Sequence, residues 1–146
     1  MYIELVKYPD VFLRSDSKTV PFPLDEKTKR LIKWMQKAMY QHNGIGLAAP
    51  QVGRNIRVIV VKLQYGDIQE MINPAIKWYS DHVVKIEEGC LSVPGKYVEL
   101  IRPSKISISF QDLSGKYKRW KLKSLEARIV QHEIDHLDGV LMTDYE

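Results

Sequence analysis

The segment His132-Glu133-Ile134-Asp135-His136 contains two imidazoles and a carboxylate within five residues. It lies in a stretch whose hydrophobic pattern is helical. Residues four positions apart are neighbours on a helix, so both histidines can bind one cation while Glu133 reaches a water on it. The alternative is a buried helix with two hydrogen-bonded histidines. That alternative is costly, because burying Glu133 without a partner or a cation costs several kcal/mol. The motif therefore predicts a central helix at a metal site.

The residues around the motif predict where this helix begins and ends. Apolar residues cover most of its circumference, and polar residues are left on a narrow stripe. Ser124 is expected as the N-cap and Gly139 as the residue that follows the C-cap. The expected polar stripe consists of Arg128, Gln131, Asp135 and Asp138.

Cys90 is the only cysteine among 146 residues, so no intramolecular disulfide can form. Its residue type alone leaves two readings open, a metal ligand or a small buried core residue. Only ten residues follow His136 and none is a histidine, so a third ligand is expected upstream, with Cys90 as the best candidate. A Cys/His/His set leaves a fourth position open to water, which is typical of catalytic metal sites. Zinc and iron both suit these ligands.

The glycine-rich segment Gly44 to Gly53 contains the spacing Gly-x-Gly-x-x-Ala, which also occurs in dinucleotide-binding proteins. That fingerprint requires a strand before it and a helix after it, whereas here a helical pattern precedes it and a strand-like run follows. The glycines instead predict close approach of the backbone to a ligand, with Gln51 as an uncharged donor to a carbonyl oxygen. A tight helix-to-strand connection without a ligand is the alternative.

Hydrophobic periodicity predicts an α+β fold of mostly antiparallel β-sheets packed around the central His-Glu-x-x-His helix, with an N-terminal helix. Residues 106–111 alternate and are expected to form a hairpin with residues 116–122. With 45% hydrophobic residues, the whole chain, 1–146, is expected to form a single catalytic domain. The other expected elements are a helix at Asp25–Gln41 and strands at Ile56–Leu63, Met71–Tyr79, Val83–Glu87 and Val98–Arg102.

The charge and the N-terminal sequence bear on partners and compartment. The net charge of +4 is spread among 18 acidic residues, and we expect a solvated surface without a specific nucleic-acid partner. No segment has the length and composition of a membrane span or of a signal or transit peptide, so we expect no membrane partner and a cytoplasmic location.

Three segments in this order resemble the signature motifs of the peptide deformylases. The resemblance covers nearly the whole chain and is greatest to the plant-organelle branch. The motifs, as they stand here, are Gly44-x-Gly46-x-Ala48-Ala49-x-Gln51, then Glu88-Gly89-Cys90-Leu91-Ser92, then Gln131-His132-Glu133-x-Asp135-His136-Leu137-x-Gly139.

The resemblance implies a metal-dependent hydrolase that removes the N-formyl group from the formyl-methionine of nascent polypeptides. Cys90, His132 and His136 would hold one divalent ion, Fe²⁺ in the cell, for which Zn²⁺, Ni²⁺ or Co²⁺ can substitute. By similarity, a metal-bound hydroxide attacks the formyl carbon, and Glu133 acts as the general acid and base that moves the proton to the leaving amine.

The resemblance also implies the substrate contacts. The Gln51 side chain and the Leu91 backbone N–H would stabilise the oxyanion. The backbone of Ile45 and Gly46 would pair with the substrate as with an added strand. The other implied substrate contacts, which include the methionine pocket, are Gly89, Ile129 and the aliphatic part of His132.

Glu88 and Arg102 are implied to support the cysteine loop, since outer partners orient metal ligands. The implied partners are N-formyl-methionine peptides near the ribosome, in the cytoplasm of a bacterium or of a phage-infected host. Contact through a C-terminal helix is not expected here, because few residues follow the third motif. The chain is expected to be a monomer.

Two other kinds of protein could carry these residues. A metallopeptidase that cuts internal peptide bonds would need a longer cleft and usually a downstream ligand. A non-catalytic binding module, either metal-stabilised or basic, would close its fourth coordination position.

Overall fold

A computed structural model describes residues 2–146 as two α-helices and seven β-strands with three short 3-10 turns. No helix among these residues is long and apolar enough to cross a membrane. The helices are α1 (Glu26–Gln41) and α2 (Ser124–Leu137), and the 3-10 turns are Val11–Arg14, Ala49–Val52 and Met142–Tyr145. The strands are β1 (Gly46–Ala48), β2 (Val58–Lys62), β3 (Ile68–Tyr79), β4 (Val83–Cys90), β5 (Val93–Pro103), β6 (Lys105–Gln111) and β7 (Tyr117–Lys123).

The strands form two antiparallel sheets. A five-stranded sheet has the order β1-β2-β3-β6-β7, and β4 pairs with β5 in a separate two-stranded sheet. β1 and β7 are therefore the edge strands of the larger sheet. The long β4–β5 hairpin carries Cys90 at its turn end.

The five-stranded sheet is covered differently on its two faces. On one face, Ile59, Met71, Ile108 and Phe110 pack with the apolar side of α2. On the opposite face, α1 packs only on the β1–β3 part of the sheet, through side chains such as Val58 and Ile72. Because α2 packs against the sheet and also contacts β5, it lies at the centre of the fold.

The fold agrees with the α+β architecture that periodicity predicted, and the hairpin of residues 106–111 and 116–122 is confirmed as β6 and β7. Asp25 caps α1 by accepting a hydrogen bond from the Thr28 amide at 2.7 Å. The other predicted strands are present, but β3, β4 and β5 extend further than expected because strand pairing continues past their hydrophobic centres. β2 is shorter than the predicted Ile56–Leu63. Periodicity missed β1, which has only three residues.

The two predicted ends of α2 differ in outcome. Gly139 follows the C-cap residue Asp138 with φ 72°, as expected for a helix that ends on glycine. The Ser124 prediction is wrong, since Ser124 is the first helical residue and Lys123 occupies the N-cap position without a side-chain bond. Here β7 runs directly into the helix, and the Ser124 amide is held by the Ser104 carbonyl at 3.0 Å.

Candidate metal centre and active site

The helix α2 and the end of β4 bring together the three residues proposed as metal ligands. The ligand atoms of Cys90, His132 and His136 all lie within 4.8 Å of one another. The Cys90 Sγ and the His136 Nε2 are 3.4 Å apart. His132 and His136 are one helical turn apart, and their side chains are buried on the same side of α2. The donor set therefore fits a single divalent ion with thiolate and imidazole ligands.

Glu133 is buried beside this cluster, and its Oε1 has no hydrogen-bond partner among residues 2–146. Burial raises the pKa of Glu133 to about 7, although the nearby His132 charge opposes the rise. A carboxyl group with a pKa near neutrality can both accept and donate a proton at physiological pH. Its unpartnered oxygen leaves it free to do so toward a bound water or a substrate.

Glu88 joins the metal cluster to two arginines. Its Oε1 lies 2.9 Å from His132 Nδ1, and Arg102 donates to both of its oxygens, from Nε at 2.5 Å and from Nη2 at 3.0 Å. Arg128 Nη1 donates to Glu88 Oε2 at 2.8 Å. Because Glu88 accepts from the Nδ1 of His132, the Nε2 of that ring is directed away from Glu88.

Hydrogen bonds and charges within this network shift the pKa values of its members in different directions. Burial alone would raise the pKa of Glu88, but hydrogen bonds from His132 and Arg102 outweigh it and lower the pKa to about 2. Burial would lower the pKa of His132, but its bonds to Cys90 and Glu88 raise it to about 10. Burial lowers the pKa of His136, and the charges of His132 and Arg102 lower it further. A metal ion at this cluster would therefore compete with a proton for His132.

A cavity of about 620 Å³ opens beside the cluster. The residues proposed for the oxyanion site are both in its wall, Gln51 from the 3-10 turn after β1 and Leu91 from the turn after Cys90. The Gln51 side chain donates to Ser92 Oγ at 3.0 Å and lies 3.8 Å from Cys90 Sγ. The other proposed substrate contacts that line the cavity are Ile45, Gly46, Gly89, Ile129 and His132.

The segment before β1 shows which backbone groups are available to a ligand. The Ile45 carbonyl already accepts from the Lys62 amide of β2 at 2.8 Å. The expectation that the Ile45 carbonyl pairs with a substrate strand is therefore wrong, because that group is already used within the sheet. In an antiparallel pair, successive residues direct their backbone N–H and C=O alternately toward and away from the partner strand. The N–H and C=O of Gly46 therefore point to the open side of the edge strand β1. A Cβ on Gly46 would lie 2.7 Å from Glu133 Oε2 and 2.9 Å from Ile129 Cγ2. Glycine is therefore required for this backbone to approach Glu133.

Some residues of the site were missed or misplaced by sequence reasoning. Arg128 was expected on a polar stripe, but it is buried against Glu88, and it also donates to the Leu100 carbonyl at 3.0 Å. The Asp135 carboxylate accepts from Arg102 Nη1 at 2.9 Å and from the Tyr145 hydroxyl at 2.8 Å. The sequence did indicate that Arg128 lies on the same side of the helix as His132, because Arg128 precedes His132 by four residues.

A Cys/His/His cluster beside a buried glutamate of a His-Glu-x-x-His helix, open to a cavity, is the arrangement expected of a metal-dependent hydrolase. Residues 2–145 match the model of the polypeptide deformylase family. The chain belongs to this family and is a peptide deformylase-type hydrolase, an enzyme class that removes formyl groups.

The relatives support this assignment over most of the chain. Peptide deformylase 1B, chloroplastic/mitochondrial, of Arabidopsis thaliana is 44% identical over 97% of this chain, which spans 53% of that protein. The peptide deformylase of Dictyoglomus turgidum is 45% identical over 99% of this chain and 92% of its own length. The crystal structure of a Synechococcus elongatus peptide deformylase in complex with actinonin is 39% identical, with a TM-score of 0.92 over 98% of this chain and 78% of that chain.

Proposed function

We propose that this chain removes the formyl group from N-formyl-methionine peptides at the cluster formed by Cys90, His132 and His136. The observation that carries the proposal is the position of this donor set, within 4.8 Å and beside the buried Glu133, with Cys90 and His132 in the wall of a cavity. The family assignment supports the reaction class, and the geometry supports these particular residues in their roles.

Cys90, His132 and His136 would hold one divalent ion, and Fe²⁺ is our proposal for the ion in the cell. When bound, such an ion polarises a carbonyl oxygen and lowers the pKa of a coordinated water. Glu88 would orient His132 for this purpose through its bond to Nδ1. Arg102 and Arg128 would keep Glu88 ionised, consistent with its pKa of about 2.

Glu133 would accept a proton from the attacking water and deliver it to the leaving amine as the formyl C–N bond breaks. Its pKa of about 7 suits both directions of transfer, and its Oε1 has no competing hydrogen bond among residues 2–146. Gln51 Nε2 and the Leu91 amide would donate to the oxygen on which negative charge develops.

The peptide would bind in extended form along the open side of β1. Strand addition of this kind uses main-chain hydrogen bonds for affinity and pockets for alternate side chains for specificity. Gly46 would supply the main-chain groups, and Ile45 would border the same cavity with its half-exposed side chain. The methionine side chain would contact Ile129 and the aliphatic part of His132, and Gly89 would line the path of the peptide.

The experiment that tests this proposal compares substrates on protein purified without air. We expect turnover of formyl-Met peptides and none of acetyl-Met or free-amine peptides, with about one metal ion bound per chain. Equal turnover of the acetylated peptide would contradict the proposed specificity. Cleavage of an internal peptide bond would instead indicate a metallopeptidase.

Inhibitor binding distinguishes an open metal position from a closed one. Actinonin, the compound bound to the Synechococcus elongatus relative, and a simple hydroxamate are expected to inhibit this chain as well. Insensitivity to both, together with a metal that stays bound, would favour a non-catalytic module with four protein ligands.

The cellular setting is part of the proposal. We propose that the chain acts as a monomer in the cytoplasm on nascent polypeptides near the ribosome. Sedimentation of the purified protein and co-sedimentation with translating ribosomes test these two statements separately.

A further inference from the structure

The β6–β7 hairpin, residues 105–123, carries more positive charge than the whole chain. It contains six of the 22 cationic residues but only one of the 18 acidic residues, Asp112. The hairpin therefore has a net charge of +5, and the remaining residues together have −1. The expectation of evenly spread charge is wrong, because an average over the chain conceals this cluster.

Strand register places four of these cations on one face. Arg119, Lys121 and Lys123 alternate along β7, so their side chains point to the same side of the sheet at intervals of roughly 7 Å. Lys123 is directly opposite Lys105 of β6. All four are exposed. Within residues 2–146, the only ion pair of this hairpin joins Lys118, on the other face, to Asp112 at 3.8 Å.

This cationic face is not covered by another part of the fold. The opposite face of β6 and β7 is buried through Ile106, Ile108 and Leu122. The apolar cluster beneath α1 contains no residue of β6 or β7 among those described. On β6, the residues that face the same way as the β7 cations include Ser107 and Ser109.

Aromatic side chains border the cations on the same face. Ser107 pairs with Lys121 on one side and with Trp78 of β3 on the other, so Trp78 and Lys121 lie in one row across three strands. Trp78 is 51% exposed and Tyr117, at the start of β7, is 71% exposed. Trp78 also lines a groove of about 720 Å³ together with Lys105 and Lys123.

We infer that this face, defined by Trp78, Lys105, Arg119, Lys121 and Lys123, binds single-stranded nucleic acid. Regularly spaced cations track a phosphate backbone, and exposed aromatic rings stack on unpaired bases without regard to sequence. An acidic protein segment would satisfy the charges but would not account for Trp78 and Tyr117. The proposed contact is independent of base sequence. Its five defining residues are different from those that line the metal-site cavity.

The test measures binding of a fluorescein-labelled oligouridylate by anisotropy at several salt concentrations. Four phosphate contacts predict a slope of log K against log salt of about −3 for a single strand. The triple variant Arg119→Gln, Lys121→Gln, Lys123→Gln should weaken binding at least about tenfold at low salt. The matched control is Lys27→Gln, Lys33→Gln, Lys37→Gln on α1, which removes the same charge from exposed positions and should retain binding.

Trp78→Ala separates base stacking from charge. It should weaken oligouridylate binding but leave binding of inorganic polyphosphate, which has no bases, unchanged. Formyl-peptide turnover and the melting curve should stay unchanged in all of these variants, which shows that the fold is intact. The inference is overturned if the wild-type chain does not bind at low salt, if both triple variants lose binding equally, or if an acidic peptide competes as well as RNA. It is also overturned if the β7 variant only aggregates, as expected when edge cations merely block strand pairing.

Discussion

At the scale of single residues, the site depends on how Glu133 and Glu88 differ although both are buried carboxyl groups. Glu88 has cationic partners on both oxygens, and its pKa is lowered to about 2. One oxygen of Glu133 has no hydrogen-bond partner within residues 2–146, and burial raises the pKa of Glu133 to about 7. In the proposed reaction, Glu88 would therefore serve as a fixed charge and Glu133 as the group that exchanges protons.

Glu133→Gln tests the proton transfer. Glutamine keeps the shape of the side chain but cannot accept and return a proton, so turnover of a formyl-Met peptide should fall about 10²-fold or more. Metal content by elemental analysis should not change. Glu99→Gln, an exposed substitution on β5, serves as the control and should keep wild-type turnover.

Glu88→Gln tests the buried ion network. Removing the charge leaves Arg102 and Arg128 buried without a full counter-charge, which should lower the free energy of unfolding by about 3–5 kcal/mol in urea titrations at neutral pH. Since the folded pKa of Glu88 lies below its ordinary value of 4.5, its contribution is complete above that pH and is lost as the pH falls through about 2.

Urea titrations at acid pH test the direction of this pH dependence of stability. Metal-free wild type should lose stability between pH 4.5 and 2, and Glu88→Gln should lose less over that range. The neighbouring exposed residue provides the control, and Glu87→Gln should behave like wild type. An equal loss in Glu88→Gln and wild type would mean that other carboxyl groups dominate the acid transition.

At the scale of elements, the short strand β1 would set the distance between the proposed substrate and the helix α2. It pairs with β2 on one side only, and Gly46 lies directly against Glu133 and Ile129 of α2. The strand is therefore both an edge available to a peptide and a packing surface for the helix. A side chain at Gly46 cannot be accommodated without moving one of these two contacts.

Gly46→Ala should reduce turnover at least about tenfold, because a misplacement of about 1 Å at a reacting group can cost 10²-fold. The comparison is Gly66→Ala, in the β2–β3 turn, where φ is 87° and, apart from its chain neighbours, no atom of residues 2–146 lies within 4 Å of an added Cβ. That variant should lose about 1 kcal/mol of stability through backbone strain but keep its turnover. Equal activity of Gly46→Ala and wild type would show that β1 does not fix the position of Glu133.

At the scale of the whole molecule, the proposed metal ligands come from both sheet layers. Cys90 ends a strand of the two-stranded sheet, whereas His132 and His136 belong to the helix packed on the five-stranded sheet. An ion bound by all three would cross-link these layers. Binding to the folded state alone stabilises a protein by mass action.

Removing the metal with a chelator should therefore lower the melting temperature and abolish turnover, and adding Fe²⁺, Ni²⁺ or Zn²⁺ should restore the melting temperature. At a free metal concentration about 100 times Kd, the expected stabilisation is about 2.7 kcal/mol. Cys90→Ser should show a much smaller metal-dependent rise in calorimetry. A rise of the same size in Cys90→Ser would exclude Cys90 as a ligand.

The sequence by itself determined the parts of this protein that depend on local spacing. The His-Glu-x-x-His motif placed both histidines and Glu133 on α2, because helical geometry relates residues four apart wherever the helix lies. The lone cysteine and the alternation of the β6–β7 hairpin were likewise readable without coordinates. The candidate ligands and the α+β class could therefore be predicted, and Cys90 as a ligand stays a prediction.

Only the tertiary structure decided the contacts made between distant segments. Arg128 has the composition of a surface residue, and it is the β4–β5 sheet that buries it against Glu88. The free edge at Gly46 and the uncovered cationic face of β6 and β7 depend on which strands are neighbours and how far α1 extends over the sheet. Such pairings join residues far apart in the chain, and no local pattern specifies them because side-chain periodicity defines a face but not the element that packs on it.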